Sequence, residues 1–234
     1  IDFWKRFSRN RSALLGLVIL ITVVFVASIA SIIYPEDPFR LAGKPLSGPG
    51  LNGFILGSDS LGRDVASGIA HGAKTSLLIG LIATLAAVFI GIIFGAFAGY
   101  YGGRIDDLLM RITEIFQTIP SFVFAILLVA IMKPSIESIV IAITVVSWPG
   151  VARLVRAEFL SLKNREFVQA CHTLGMSDMR IMLREILPNC LSPIIVIGSL
   201  MVATAILIES GLAFLGLGDP NIMSWGFQIG AGRT

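Results

Sequence analysis

Long apolar runs with few or no charges, separated by polar stretches, set the pattern of this chain. They cover Ala13 to Tyr34, Thr75 to Tyr101, Leu108 to Met132 in its second half, Ile136 to Val155, and Cys190 to Leu217. A helix needs about 20 apolar residues to cross the hydrocarbon of a bilayer. The pattern therefore predicts five spanning helices in an all-α polytopic membrane protein. Composition agrees, with 55% hydrophobic and 14% charged residues, against roughly 45–50% and 25% in soluble domains.

The first run follows Lys5, Arg6, Arg9 and Arg11. A signal peptide has the same charged-then-apolar layout, but its apolar core is only about 7–15 residues, so this run is read as an uncleaved span. Residues 1–12 form a cytoplasmic segment on this reading, and 13–234 the transmembrane domain. From 35 to 74 prolines and glycines punctuate an extracytoplasmic loop, in which GSDSLGRD (Gly57 to Asp64) reads as a turn with local ion pairs. In the second run Ala83, Ala87, Gly91, Gly95 and Gly99 recur every fourth residue. Small residues at that spacing let two helix backbones meet, which gives Gly91, Gly95 and Gly99 a packing role. The first half of the third span carries Arg111, Glu114, Gln117 and Pro120, so it stands in water or in the protein interior. Trp148-Pro149-Gly150 predicts a kink or broken turn in the fourth. In the fifth, Glu209 interrupts an apolar run and is a candidate for the translocation path; an outer-headgroup position or a bond to a neighbouring helix explains it equally well. Residues 218–234 read as an extracytoplasmic loop with an interfacial Trp225, and an odd number of spans suggests a further helix beyond Thr234.

One hydrophilic island, 163–189, breaks the pattern. KNREFVQACHTLGMSDMRIMLREILPN carries Lys163, Arg165, Glu166, His172, Asp178, Arg180, Arg184 and Glu185. Two short amphipathic helices are expected in it, from about Arg165 to Leu174 and from about Asp178 to Leu187. Gly175 is placed as a left-handed cap, Ser177 as N-cap, Asp178 at the positive end of the second helix, and Pro188 as its stop. Phe167, Ala170, Cys171 and Leu174 form one apolar stripe, and Met179, Met182, Leu183 and Ile186 the other.

Charge assigns the sides. Counting spans puts Lys5, Arg6, Arg9, Arg11, Arg104, Arg111, Arg153, Arg156, Lys163, Arg165, Arg180 and Arg184 inside, and Arg40, Lys44, Arg63, Lys74, Lys133 and Arg233 outside. Twice as many basic residues lie inside, as the positive-inside rule requires. His71 and His172 then fall on opposite sides, and Cys171 and Cys190 belong to no metal-ligand spacing, so no catalytic or metal set assembles. GAKTS is no phosphate loop, since Ala73 parts the Gly-Lys pair. Basic residues follow topology and do not cluster with aromatics, which excludes nucleic acid as a partner. The island's polar faces mix Glu166, Gln169, Asp178 and Glu185 with arginines. A lipid-lying helix would instead carry a dense Lys/Arg row, so a protein groove is favoured.

VQACHTLGMSDMRIMLREILPN resembles the cytoplasmic loop of ABC importer permeases, with Gln169, Ala170, Cys171, Gly175, Leu187 and Pro188 at the motif positions. Gln169 replaces the usual glutamate, and Cys171 the second alanine. GSDSLGRDVASGIAHGAKTSL, ARLVRAEFLSLKNREFVQA and ESGLAFLGLGDPNIMSWG are similar to segments of the dipeptide, oligopeptide and nickel permease subfamily. The resemblance implies a type I importer permease in the prokaryotic inner membrane, with no catalysis and no cofactor of its own. Its implied partners are a second homologous permease, two ATP-binding subunits holding ATP and Mg, an extracytoplasmic solute-binding protein, and lipid. It further implies that the ATPase is engaged through Glu166, Phe167, Gln169, Ala170, Cys171, Leu174, Gly175, Ser177, Asp178, Met179, Met182, Leu187 and Pro188. From the residues alone, an ion-coupled carrier or channel subunit and a membrane scaffold remain as alternatives.

Overall fold

The computed structural model describes residues 7–51 and 53–232. Lys5, Arg6 and Arg233, three of the charges used for topology, lie outside the described residues. The regular elements of the described structure are helices: α1 (Arg11–Ile33), α2 (Val65–Tyr101), α3 (Gly103–Gln117), α4 (Ser121–Met132), α5 (Ile136–Leu162), α6 (Glu166–Thr173), α7 (Asp178–Ile181), α8 (Leu187–Leu212) and α9 (Trp225–Ala231), with π-helical turns at Met182–Ile186 and Ala213–Leu217. Four segments are long and apolar enough to span a membrane: Arg11–Ile33, Val65–Tyr101, Ile136–Leu162 and Asp178–Leu217. A fifth arises if α3 and α4, bent by 79°, count together.

Several boundaries differ from expectation for identifiable reasons. Helix α2 starts at Val65, ten residues before the apolar run, so His71 and Lys74 are helical and not in a loop. The glycines that read as punctuation there serve packing. A Cβ on Gly68 would collide with the Gln228 amide, and one on Gly72 would sit 2.9 Å from the Ser224 carbonyl carbon. The third span is not continuous: α3 is a separate amphipathic helix, and the chain breaks at Thr118–Pro120 because the residue before a proline is pushed out of helical conformation. Helix α5 instead continues through Pro149 as one element and runs two turns past Val155. The terminal stretch is not all loop, since α9 forms with Ser224 as its N-cap.

The chain groups into two units. One comprises Ile1–Leu78, Ala213–Gly216 and Pro220–Thr234. In it the Asp59 Oδ1 accepts from the backbone N–H of Leu61 and Arg63, both at 2.9 Å, and closes the GSDSLGRD turn. The expected ion pairs are not what holds that turn. The Arg63 guanidinium lies 5.3 Å from the Phe39 ring and 5.6 Å from that of Phe227, and the ion pair of this unit among the described residues joins Arg40 to Glu36. Trp225 donates from its backbone N–H to Ser76 Oγ (3.1 Å) and from Nε1 to the Ile69 carbonyl (3.0 Å), tying α9 to the first turns of α2.

The other unit, Ile79–Leu212 with Leu217–Asp219, holds the remaining helices. Helix α2 meets α5 along its small-residue face. A Cβ on Gly91 would lie 2.5 Å from Val151 Cβ, one on Gly95 2.7 Å from Val155 Cβ, and one on Gly99 2.6 Å from Phe159 Cβ. Ala83 and Ala87 on the same face are fully buried, and Thr144 Oγ1 donates to the Ala83 carbonyl at 3.3 Å. Three apolar clusters follow along the bundle: one around Val129, Ile139, Ile143 and Leu212, one around Trp148 with Phe94 and Phe116, and one around Phe159, Val168, Ile181 and Ile186. The last of these carries the hydrophilic island.

Candidate functional site

The island folds as two helical arms on a fixed corner. Helix α6 ends in a Schellman cap: the N–H of Gly175 bonds the His172 carbonyl (3.0 Å), and that of Met176 bonds the Cys171 carbonyl (3.1 Å). This geometry needs a left-handed residue, and Gly175 has φ +73°. Ser177 occupies the N-cap of α7, but its side chain makes no capping bond. Asp178 opens α7, at the end where the helix dipole favours an anion.

Pro188 does not stop the second helix. From Asp178 the chain continues without interruption through the π turn into α8 and on to Leu212. The π turn makes this possible: the Leu187 N–H reaches the Met182 carbonyl five residues back, and the wider turn takes in a proline that has no N–H to offer. The second arm and the fifth span are thus one rod.

The two faces of the arms are divided differently from the expected stripes. Val168, Ile181, Met182 and Ile186 are buried within the chain's own core, with Cys171, Met176 and Leu187 packed at its edge. Met182, expected at a partner surface, is only 2% exposed, because it packs with Ile181 and Ile186 into the chain's own core. Outward stand Phe167 (38% exposed), Leu174 (80%), Met179 (47%) and Leu183 (55%). Glu166, Gln169, Ala170, Gly175, Ser177, Asp178 and Pro188 are exposed around them. Gln169 turns back to donate to the Asn164 carbonyl at 3.3 Å.

Contacts not foreseen from the sequence hold the corner to the bundle. The Tyr100 hydroxyl, at the end of α2, donates to Asp178 Oδ1 at 2.8 Å and lies 3.4 Å from His172 Nε2, with the two rings stacked. Lys163 Nζ donates to the Tyr100 carbonyl (3.3 Å), placing a cation at the negative end of α2. Gly102 (φ +68°) then turns the chain into α3. There Asp106 accepts from Arg156 Nε and Nη2 at 2.5 and 2.6 Å, a bidentate pair that fixes α3 on α5. No sequence signal marked these partners, since each joins residues more than 45 positions apart. Glu209 lies away from this corner in α8; it is 1% exposed, and Ser210 Oγ stands 3.4 Å from its Oε2.

Residues 91–231 match the family of the binding-protein-dependent transport system inner membrane component, and residues 1–47 match the N-terminal transmembrane domain of oligopeptide transport permease C. The chain is 40% identical over 232 residues to the dipeptide transport system permease protein DppC of Bacillus subtilis, covering 99% of this chain and 72% of that protein. It is 40% identical over 236 residues to the oligopeptide transport system permease protein OppC of Haemophilus influenzae, covering 100% and 76%. Among solved structures, an inward-facing MetNI methionine ABC transporter chain superposes with a TM-score of 0.57 at 17% identity, over 66% of this chain and 77% of that one, which shows a shared fold. The chain therefore belongs to the permeases of binding-protein-dependent ABC transporters, of the DppC/OppC type: a non-catalytic, multi-pass component of the bacterial inner membrane that works with a binding protein and an ATPase.

Proposed function

We propose that this permease forms half of the translocation pathway of an ATP-driven importer of dipeptides or oligopeptides, and that residues 163–189 carry the motion of the ATPase into it. Peptide is the substrate class named for the relatives. The second half is a related permease, the motor a pair of ATP-binding subunits, and α1 enters the membrane from the cytoplasm, in keeping with the positive-inside bias.

One observation carries the coupling reading. The two arms bury one apolar stripe in their own chain and leave a second one, Phe167, Leu174, Met179 and Leu183, uncovered among mixed charges. The buried stripe anchors the arms to the bundle, and the uncovered one suits a protein groove. Because α7 and α8 are one rod, a push on the arm moves a spanning helix directly.

Two variants test the transmission. Gly175→Val has open space around its Cβ, so its cost is backbone strain alone, about 1–2 kcal/mol. The complex should assemble and hydrolyse ATP while uptake per ATP falls severalfold; Gly175→Asn, which tolerates a positive φ, should restore most of it. Unchanged uptake in the valine variant refutes the corner's role. Tyr100→Phe keeps the ring and removes the bond to Asp178, with a net loss of about 1 kcal/mol. It should likewise lower the ratio of uptake to hydrolysis, measured together in proteoliposomes; a wild-type ratio refutes the link through Tyr100.

A further inference from the structure

A cavity of about 430 Å³ opens in the first unit at the carboxyl end of α1. Tyr34 borders it where that helix ends, Glu36, Asp37 and Arg40 where the chain leaves it, and Asp64 and Ser67 at the start of α2. Its level in the bilayer follows from α1. Leu20, Ile21, Phe25, Ile32 and Ile33 are between 54 and 78% exposed, and a helix apolar on all sides with its side chains uncovered is one immersed in lipid. The cavity therefore sits at headgroup level, where tyrosine is enriched.

Arg40 is the one cation among the lining residues, against three carboxylates. It is paired with Glu36, but both side chains are more than half exposed, and such a pair holds weakly. Asp37 Oδ1 accepts from the Phe39 N–H and Asp64 Oδ1 from the Ala66 N–H, both at 2.8 Å. Each keeps a second oxygen with no partner among the described residues. Burial, and then the charge of Asp64, push the Tyr34 phenol up, so it stays a neutral hydroxyl near that carboxylate. Ser67 stands apart from these surface groups. It is 6% exposed, yet its hydroxyl bonds to nothing among the described residues and is not sealed from solvent. A buried hydroxyl left unpaired is costly, and one that lines a cavity marks a place for a ligand's polar group.

We propose that this cavity seats the headgroup of a phospholipid with a primary ammonium, phosphatidylethanolamine, whose tails lie along α1. An ammonium has three N–H donors and no acceptor. The free oxygens of Asp37 and Asp64 and the Ser67 hydroxyl are acceptors that match them, two of them charged. The neighbouring phosphate meets Arg40. The apolar row that ends at Ile32 and Ile33 leads to the mouth of the cavity, since Ile33 also lines it, and this continuity favours a lipid over a soluble amine or a basic side chain of the binding protein. A lipid held there ties the loop after α1 and the first turn of α2 to the membrane surface.

Phosphatidylethanolamine with a photoreactive group beside its glycerol tests this, in phosphatidylcholine nanodiscs that hold the complete importer. Labelling should map to residues 32–40. It should fall about tenfold when the probe's ammonium is trimethylated, and equally in the double variant Asp37→Asn, Asp64→Asn. Asparagine keeps both backbone bonds through its amide oxygen, and the trimethylated probe puts the same question to the unaltered protein. Phosphoethanolamine without tails, added in excess, should not compete. Equal labelling by the two probes, no labelling at residues 32–40, or indifference to the double variant overturns the proposal. Competition by the soluble headgroup overturns the lipid as occupant. Protection of these residues when the binding protein docks does the same, and would make the cavity a seat for that protein's basic side chains.

Discussion

Replacing Phe167 and Leu174 together by aspartate should leave the permease folded in the membrane and strip the ATPase from it. Both side chains stand outside the chain's own core, Leu174 at 80% and Phe167 at 38% exposure, so the bundle loses little packing. A partner groove that buries them gains about 1.5–3 kcal/mol from each, and carboxylates in their place add a desolvation cost. A combined loss on the order of 4 kcal/mol is about a thousandfold in affinity. The ratio of ATPase to permease after affinity purification measures this, and ATP-dependent uptake should vanish with it. Val168→Asp is the contrasting case: Val168 is fully buried, so that variant should lose the fold of the arms themselves. Wild-type stoichiometry in the double variant would mean that the uncovered stripe is not the docking surface.

Gly95→Leu should prevent stable folding of the second unit. Its Cβ would lie 2.7 Å from Val155 Cβ, with the backbone N of Arg156 only 3.0 Å away, and a backbone cannot step aside as a flexible side chain can. Overpacking of this kind costs typically about 1–3 kcal/mol, and more where neither helix can move. The buried surface between α2 and α5 would have to open along its length. The thermal midpoint in detergent should drop by several degrees or the protein should fail to accumulate. Gly16→Leu serves as control, since a Cβ at Gly16 meets nothing within 4 Å. Equal midpoints for the two variants would refute close packing at Gly95.

What could be read from the sequence was whatever depends on local pattern. Apolar runs located the spans, the four-residue spacing of small residues marked the face of α2 where a Cβ has no room, and Gly175 between two amphipathic stretches marked a left-handed cap. What could not be read depends on distant neighbours. Gly68 and Gly72 look like loop residues until Gln228 and Ser224 are seen against them. Prolines show the same ambiguity. Pro120 breaks a helix, whereas Pro149 and Pro188 lie inside one, and in the last case the difference comes from a π turn. Which apolar stripe of the arms faces inward was equally hidden, because Val168 and Ile181 find their partners only when Phe159 and Ile186 arrive. Tyr100 had no motif, and its role emerges from the hydroxyl bond to Asp178.

The central claim is that residues 163–189 touch the ATPase through the uncovered stripe. A photo-crosslinking side chain placed at Leu174 in the intact importer, with the same group at Leu207 on the apolar face of α8 as reference, tests it most directly. The account predicts an adduct between Leu174 and the ATPase subunit, and none between Leu207 and that subunit. Adducts from Leu174 only to lipid, or to the binding protein, would contradict it.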